Sequence, residues 1–202
     1  MTQAEAKAQL RRALRDHRAA RSDDDRAAAG AALAAHAAVL PAGTVAAFVA
    51  VRGEPPTLPL LGALRARGLR VLLPLLRDDY DLEWARFEAE DALVAGRLGI
   101  SEPAGPSLGV DAVRDAELVL APALAVDREG RRLGQGGGSY DRALARVGVP
   151  VVAIVFDDEV LDEPIPVEPH DRRVAGVLTP RGGLVWLASG GSPSASDQRY
   201  TL

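Results

Sequence analysis

Short apolar runs separated by helix-forming stretches restrict this chain to very few architectures. Residues 44–51, 69–73, 117–124 and 151–156 are nearly continuous in aliphatic, partly β-branched side chains. A run without polar alternation suits a strand covered on both faces, as in a parallel sheet with helices on each side. The intervening segments supply the helices. Residues 3–20 are strong helix formers, with Leu10 and Leu14 one turn apart and Lys7, Arg11, Arg15 and Arg18 along a neighbouring face. Ser22 followed by three aspartates predicts an N-cap and a second helix to about residue 40, closed by Pro41 and Gly43. Residues 57–67 predict a helix ending at Gly68, and 139–147 another. The run at 69–73 is expected to stop at Pro74, 82–87 to form an edge strand, and 98–108 to be a loop. Residues 174–178 and 184–187 are expected to finish the sheet. The pattern predicts an α/β fold, three layers (αβα) around a largely parallel central sheet, in one domain over 1–189, with a disordered tail at 190–202.

Composition excludes several function classes. The chain has no cysteine, so disulfides and thiolate metal sites are absent and a cytoplasmic setting is expected. A net charge of −4, with no basic block beyond the first helix, gives no support to a nucleic-acid partner. The apolar runs are too short to cross a bilayer, and no apolar leader follows the first methionine, so no membrane partner or signal peptide is expected. A monomer or weak homodimer is the expected state.

The chemistry concentrates at 132–142, RLGQGGGSYDR. Gly134, Gly136, Gly137 and Gly138 stand directly before the helix expected at Ser139. Glycine permits positive φ and close approach of the backbone, so such a segment can curl its amides into an anion nest at a helix start. Arg132 and Arg142 flank it with charge suited to phosphate oxygens, and Asp141 is a carboxylate suited to magnesium. A plain surface turn has the same composition. The spacing matches neither the Lys-Ser/Thr phosphate loop nor GxGxxG, whose last glycine would fall at Ser139.

Other residues are ambiguous by themselves. Lys7 and Arg11 are one helical turn apart, as a polyphosphate clamp or a solvated basic face. Glu54, in RGEPPT after the first apolar run, reads equally as an active-site acid or a loop carboxylate. His170 and Asp171 are adjacent, but no nucleophile elbow completes a triad. The three histidines have no metal-ligand spacing. Trp84 and Trp186 read as core or rim packing.

Taken together, KAQLR at 7–11, GEPPT at 53–57, GISEP at 99–103, APALAVDREGRRLGQGGGSYDRAL at 121–144 and PHDRRVAGVLTP at 169–180 resemble the 5-formyltetrahydrofolate cyclo-ligase (methenyltetrahydrofolate synthetase) family. The resemblance implies a fold shared with sugar-phosphate isomerases and acyl-CoA transferases. It implies ATP- and Mg²⁺-dependent closure of 5-formyltetrahydrofolate to 5,10-methenyltetrahydrofolate, with ADP and phosphate released. Lys7, Arg11, Arg132, Gly134, Gln135, Gly136, Gly137, Gly138, Ser139 and Tyr140 would then bind ATP. Lys7, Arg132 and Asp141 would be catalytic, and Asp141 and Asp171 would hold magnesium. Val49, Glu54 and the loop from Gln135 to Ser139 would contact the folate. The family pattern has two tyrosines before the loop aspartate, whereas this chain has Ser139 and Tyr140; Ala175 and Glu159 also depart from it. Two alternatives stay open: a paralogue that activates a different substrate with ATP, and a nucleotide-binding regulatory module.

Overall fold

The computed structural model describes residues 2–41, 43–51, 53–168 and 171–187. The helices α1 (Gln3–Ala19) and α2 (Asp23–Ala35) lead into β1 (Thr44–Ala46), α3 (Leu58–Ala66), β2 (Arg70–Leu76) and β3 (Leu82–Arg86). Next come β4 (Leu93–Ala95), β5 (Ser101–Pro103), β6 (Leu118–Pro122), β7 (Ala125–Asp127) and β8 (Arg132–Leu133). The elements α4 (Ser139–Leu144), β9 (Val151–Ile154), β10 (Val160–Leu161), β11 (Gly176–Thr179) and β12 (Gly183–Trp186) complete the order.

Seven strands form the central sheet in the order β12-β11-β9-β6-β1-β2-β3. The five inner strands are parallel and both edges pair antiparallel. Period-two alternation sorts their buried side chains into two cores. Val45, Val71, Leu118, Leu120 and Val152 meet Leu33 of α2 and Leu60, Leu61 and Leu64 of α3 on one face. Ala46, Leu72, Val119, Ala121 and Val151 meet Trp84, Val113, Ala143 and Leu144 on the other. This is the expected three-layer αβα fold. Leu61 and Leu64 are wholly buried, and truncating either to alanine would cost about 2–5 kcal/mol.

The helix α1 stands apart from both cores. Its Leu14 packs with Leu124, Ala125, Leu133 and Ile165 over the small sheet β10-β7-β8. The hairpin β7–β8 was hidden in the sequence because its turn is built around one side chain. Asp127 accepts from the backbone of Glu129 and Arg131 at 2.9 Å each, and from Ile165 N at 2.9 Å.

Several boundaries differ from expectation. The second helix ends at Ala35 and continues as a 3-10 turn, His36–Val39. Only Thr44–Ala46 of the run at 44–51 is regular strand, although residues up to Val49 stay buried. β2 passes through Pro74, opposite Trp84. The register with β1 ends at Leu72, so the missing N–H of Pro74 falls where no ladder partner remains on that side. The expected loop at 98–108 contains β5, which pairs with β4. The predicted tail at 190–202 lies outside the described residues.

Strand order places the site. From β1 the chain moves to β2 on one side, then crosses to β6 and β9 on the other. The gap between the carboxyl ends of β1 and β6 is therefore a topological switch point, where open α/β sheets leave a crevice.

Candidate active site

A cleft with a cavity volume of about 270 Å³ opens at that switch point. One wall is apolar: Phe48, Val49 and Val51 follow β1, and Pro74 and Leu76 end β2. The opposite wall is the glycine loop from Gly134 to Ser139 with Arg132, Tyr140 and Asp141. Tyr80, Leu98, Ile100 and Glu102 also line it, the last of them from β5.

The loop keeps its backbone open. Gly136 and Gly138 have φ of 105° and 69°, values that other residues rarely adopt. Gly138 caps α4 without any side-chain cap bond. A β-carbon at Gly134 would stand 3.0 Å from Arg132 Nη1, so any side chain there would press on that guanidinium.

Arg132, 6% exposed, donates to Asp141 Oδ1 at 2.5 Å and to the Pro122 carbonyl at 3.2 Å. Its Nε is buried without a partner. The Tyr140 hydroxyl is likewise buried and unpartnered, and burial together with the charge of Glu54 pushes its ionisation well up. Arg142, expected to face phosphate, instead donates to the carbonyls of Tyr80 and Gly137.

α1 lays a row of cations along the loop. Thr2 and Glu5 close a capping box that fixes its start. Lys7 is buried, and its Nζ donates to Asp171 Oδ2 at 2.5 Å and Glu168 Oε2 at 2.8 Å. Burial opposes its charge, but these carboxylates prevail and raise its pKa. Arg11 Nε donates to the Gly134 carbonyl at 2.9 Å, and Arg15 reaches the carbonyl and side chain of Gln135. Lys7, Arg11 and Asp171 stand outside the cleft lining, whereas Val49, Glu54, Arg132 and residues 134–141 share it. His170 lies outside the described residues.

Glu54 is held beneath the apolar wall, 5% exposed. It accepts from Val51 N at 3.0 Å, and Gln135 Nε2 approaches its other oxygen at 3.4 Å. Burial raises its pKa, against the opposing pull of the Val51 amide and the charge of Arg18. Thr57 secures the same turn: its hydroxyl donates to the Phe48 carbonyl and accepts from Ala50 N. In the sequence Thr57 closes the GEPPT segment and opens the expected helix at 57–67, with no sign of these bonds. Its threonine-before-Leu-Pro setting is a helix-start signal, but its bonds run back to the loop.

Below the cleft, Arg18 and Glu159 form a two-pronged pair at 2.7 Å on both oxygens, and Arg18 also donates to the Ala123 carbonyl at 2.6 Å. Glu159 further accepts from Phe156 N at 2.8 Å. The partners are 141 residues apart, so no local pattern marks them.

Among the described residues no three His, Cys, Asp or Glu side chains gather as a metal cage. What the site offers is two aspartates held by cations, Asp141 by Arg132 and Asp171 by Lys7, beside a glycine-rich backbone. That donor set suits magnesium brought in on phosphate, since magnesium keeps waters and takes only one or two protein carboxylates.

Residues 3–180 match the model of the 5-formyltetrahydrofolate cyclo-ligase family. The chain belongs to this family. It is 46% identical over 151 residues to the 5-formyltetrahydrofolate cyclo-ligase of Mycolicibacterium smegmatis, covering 71% of this chain and 77% of that one. It is 33% identical over 153 residues to that of Escherichia coli K12, covering 73% and 84%. The solution structure of 5,10-methenyltetrahydrofolate synthetase from Aquifex aeolicus superposes with a TM-score of 0.76 at 26% identity, over 93% of this chain and 96% of that one. Of the cleft's two walls, the glycine-rich one comes from a segment that carried the sequence resemblance, 121–144, whereas the apolar one is built from residues outside the quoted motifs.

Proposed function

We propose that this chain closes 5-formyltetrahydrofolate to 5,10-methenyltetrahydrofolate, consuming ATP with magnesium and releasing ADP and phosphate. The observation that carries this reading is the cleft itself. One apolar wall with a buried acid faces one glycine-rich wall backed by Arg132 and Asp141.

The chemistry accounts for the division. A formamide oxygen is a poor leaving group, so N10 of the folate cannot displace it directly. Transfer of the γ-phosphoryl group to that oxygen converts it to a phosphate ester. N10 then attacks the formyl carbon and gives up its proton to solvent, and the C–O electron pair departs with phosphate. Such a transfer asks for positioning and charge neutralisation rather than a protein nucleophile. The loop amides of residues 134–140, with Lys7, Arg11 and Arg132, would hold the phosphates. Val49, Glu54 and residues 135–139 would hold the folate. Asp141 and Asp171 would hold magnesium, which when bound neutralises charge on the transferring group. Each of these carboxylates is already beside a cation, Arg132 or Lys7. A dication and a polyanion arriving together can exchange those partners without stranding a charge.

The test is direct. Purified protein with 5-formyltetrahydrofolate, ATP and magnesium should develop the near-ultraviolet absorbance of the methenyl product. No absorbance at saturating substrate rejects the reading. ADP release on another carbonyl substrate would then favour a paralogue, and nucleotide binding without turnover a regulatory module.

A further inference from the structure

Two non-glycine residues among those described have left-handed backbone, Tyr80 with φ of 61° and Leu98 with φ of 54°. Both are apolar, both are exposed (51% and 75%), and both line the same cleft. Their turns are joined by an ion pair between Arg97 and Asp78. A bulky residue in this conformation is a genuine outlier, and glycine or asparagine would sit there more easily.

The turn of Tyr80 is nevertheless fastened firmly. Tyr80 N donates to the Arg77 carbonyl at 3.2 Å, and Arg77 N donates to the Asp81 carbonyl at 3.0 Å. From α4, Arg142 donates to the Tyr80 carbonyl at 2.6 Å. Just beyond α4, Arg146 holds both oxygens of Asp81. The helix that begins in the glycine loop thus fixes the height of this turn. All of these bonds use the backbone or neighbouring side chains, and none uses the tyrosine ring. Tyr80 as a residue is half exposed, so burial does not explain an aromatic side chain here. A flat ligand does.

We infer that Tyr80 is a substrate-specificity residue whose ring stacks on the p-aminobenzoyl ring of the folate as it leaves the cleft. The inference rests on the functional reading above and deepens it. The pterin, which bears the formyl group, must lie inward near the loop. The aryl ring, one bond system further out, then passes the rim where Tyr80 stands. Arg142 is a positioning residue, acting through the Tyr80 carbonyl.

The experiment is calorimetric binding of 5-formyltetrahydrofolate without ATP to wild type, Tyr80→Asn, Tyr80→Gly and Tyr80→Phe. Asparagine and glycine relax the backbone and remove the ring, so loss of folding is not the expected confounder. A thermal midpoint at or above wild type would verify that. Both should bind about tenfold more weakly, in keeping with the worth of one aromatic stack, whereas Tyr80→Phe should bind like wild type. 5-Formyltetrahydropterin, which lacks the aryl ring, should bind wild type and Tyr80→Asn equally. Equal binding of 5-formyltetrahydrofolate by wild type and Tyr80→Asn overturns the inference alone. So does an equal loss with the pterin fragment, or a loss in Tyr80→Phe. A wild-type protein that binds ATP but not 5-formyltetrahydrofolate overturns the functional reading, and the inference falls with it.

Discussion

Two arginine–carboxylate pairs, Arg132–Asp141 in the cleft lining and Arg18–Glu159 outside it, differ in what their acid is left to do. Glu159 is fully enclosed: both oxygens take Arg18, one also takes a backbone amide, and the side chain is 0% exposed. Asp141 takes Arg132 through one oxygen, stays 19% exposed, and borders the cleft. The arginines themselves are alike, the side chain of each 3% exposed with one buried nitrogen unpartnered. The difference is thus carried by the acid. An acid whose bonds are all used inside the protein joins segments, here α1, the end of β6 and the turn after β9. One with spare oxygen capacity toward a cleft is available to a ligand.

Separating the two pairs by experiment should begin with Glu159→Gln. It leaves the Arg18 charge buried without its counterion, so folding free energy should fall by about 3–5 kcal/mol, read from urea denaturation. The matched change Asp141→Asn keeps an oxygen for Arg132, in a place that water reaches through the cleft. It should cost stability only about 1 kcal/mol while lowering turnover on the order of 10²-fold. If Asp141→Asn destabilised the protein as much as Glu159→Gln, or left turnover intact at low magnesium, the distinction between the pairs would collapse.

What the sequence revealed follows the same division. Properties set by neighbouring residues were legible. The buried runs announced the parallel sheet, Ser22 and the aspartates started α2, and glycines before a helix marked the loop at 134–138. The spacing of Lys7, Arg11, Arg15 and Arg18 placed one cationic row on α1, and all four reach back to distant segments. What was hidden depends on partners far along the chain. Glu159 meets Arg18 across 141 residues, and Asp127 organises a hairpin through backbone amides that carry no side-chain signature. Pro74 misled because its cost depends on which edge of β2 has a neighbour, a matter of register rather than composition. Tyr80 escaped notice because its significance is a backbone angle and a place on the rim.

Glu54 provides the finest test, since it is a further carboxylate of the cleft lining and has no ion pair with a described residue. Its pKa is raised, chiefly by burial. A carboxyl that holds its proton more tightly when folded favours folding at pH below its unfolded value. That contribution is lost as pH rises through the folded value, above which the buried charge is a constant penalty. Glu54→Gln keeps an acceptor for Val51 N but cannot ionise. The variant should therefore match wild type near pH 4 and become the more stable of the two toward pH 8, the unfolded carboxyl titrating at about 4.3. Thermal midpoints of both proteins across that range give the difference directly, and acid effects common to both cancel. A wild type that instead gains on the variant as pH rises would mean that Glu54 is stabilised as the anion. It would then belong with Glu159 as a fully compensated acid, rather than with the ligand-facing wall of the cleft.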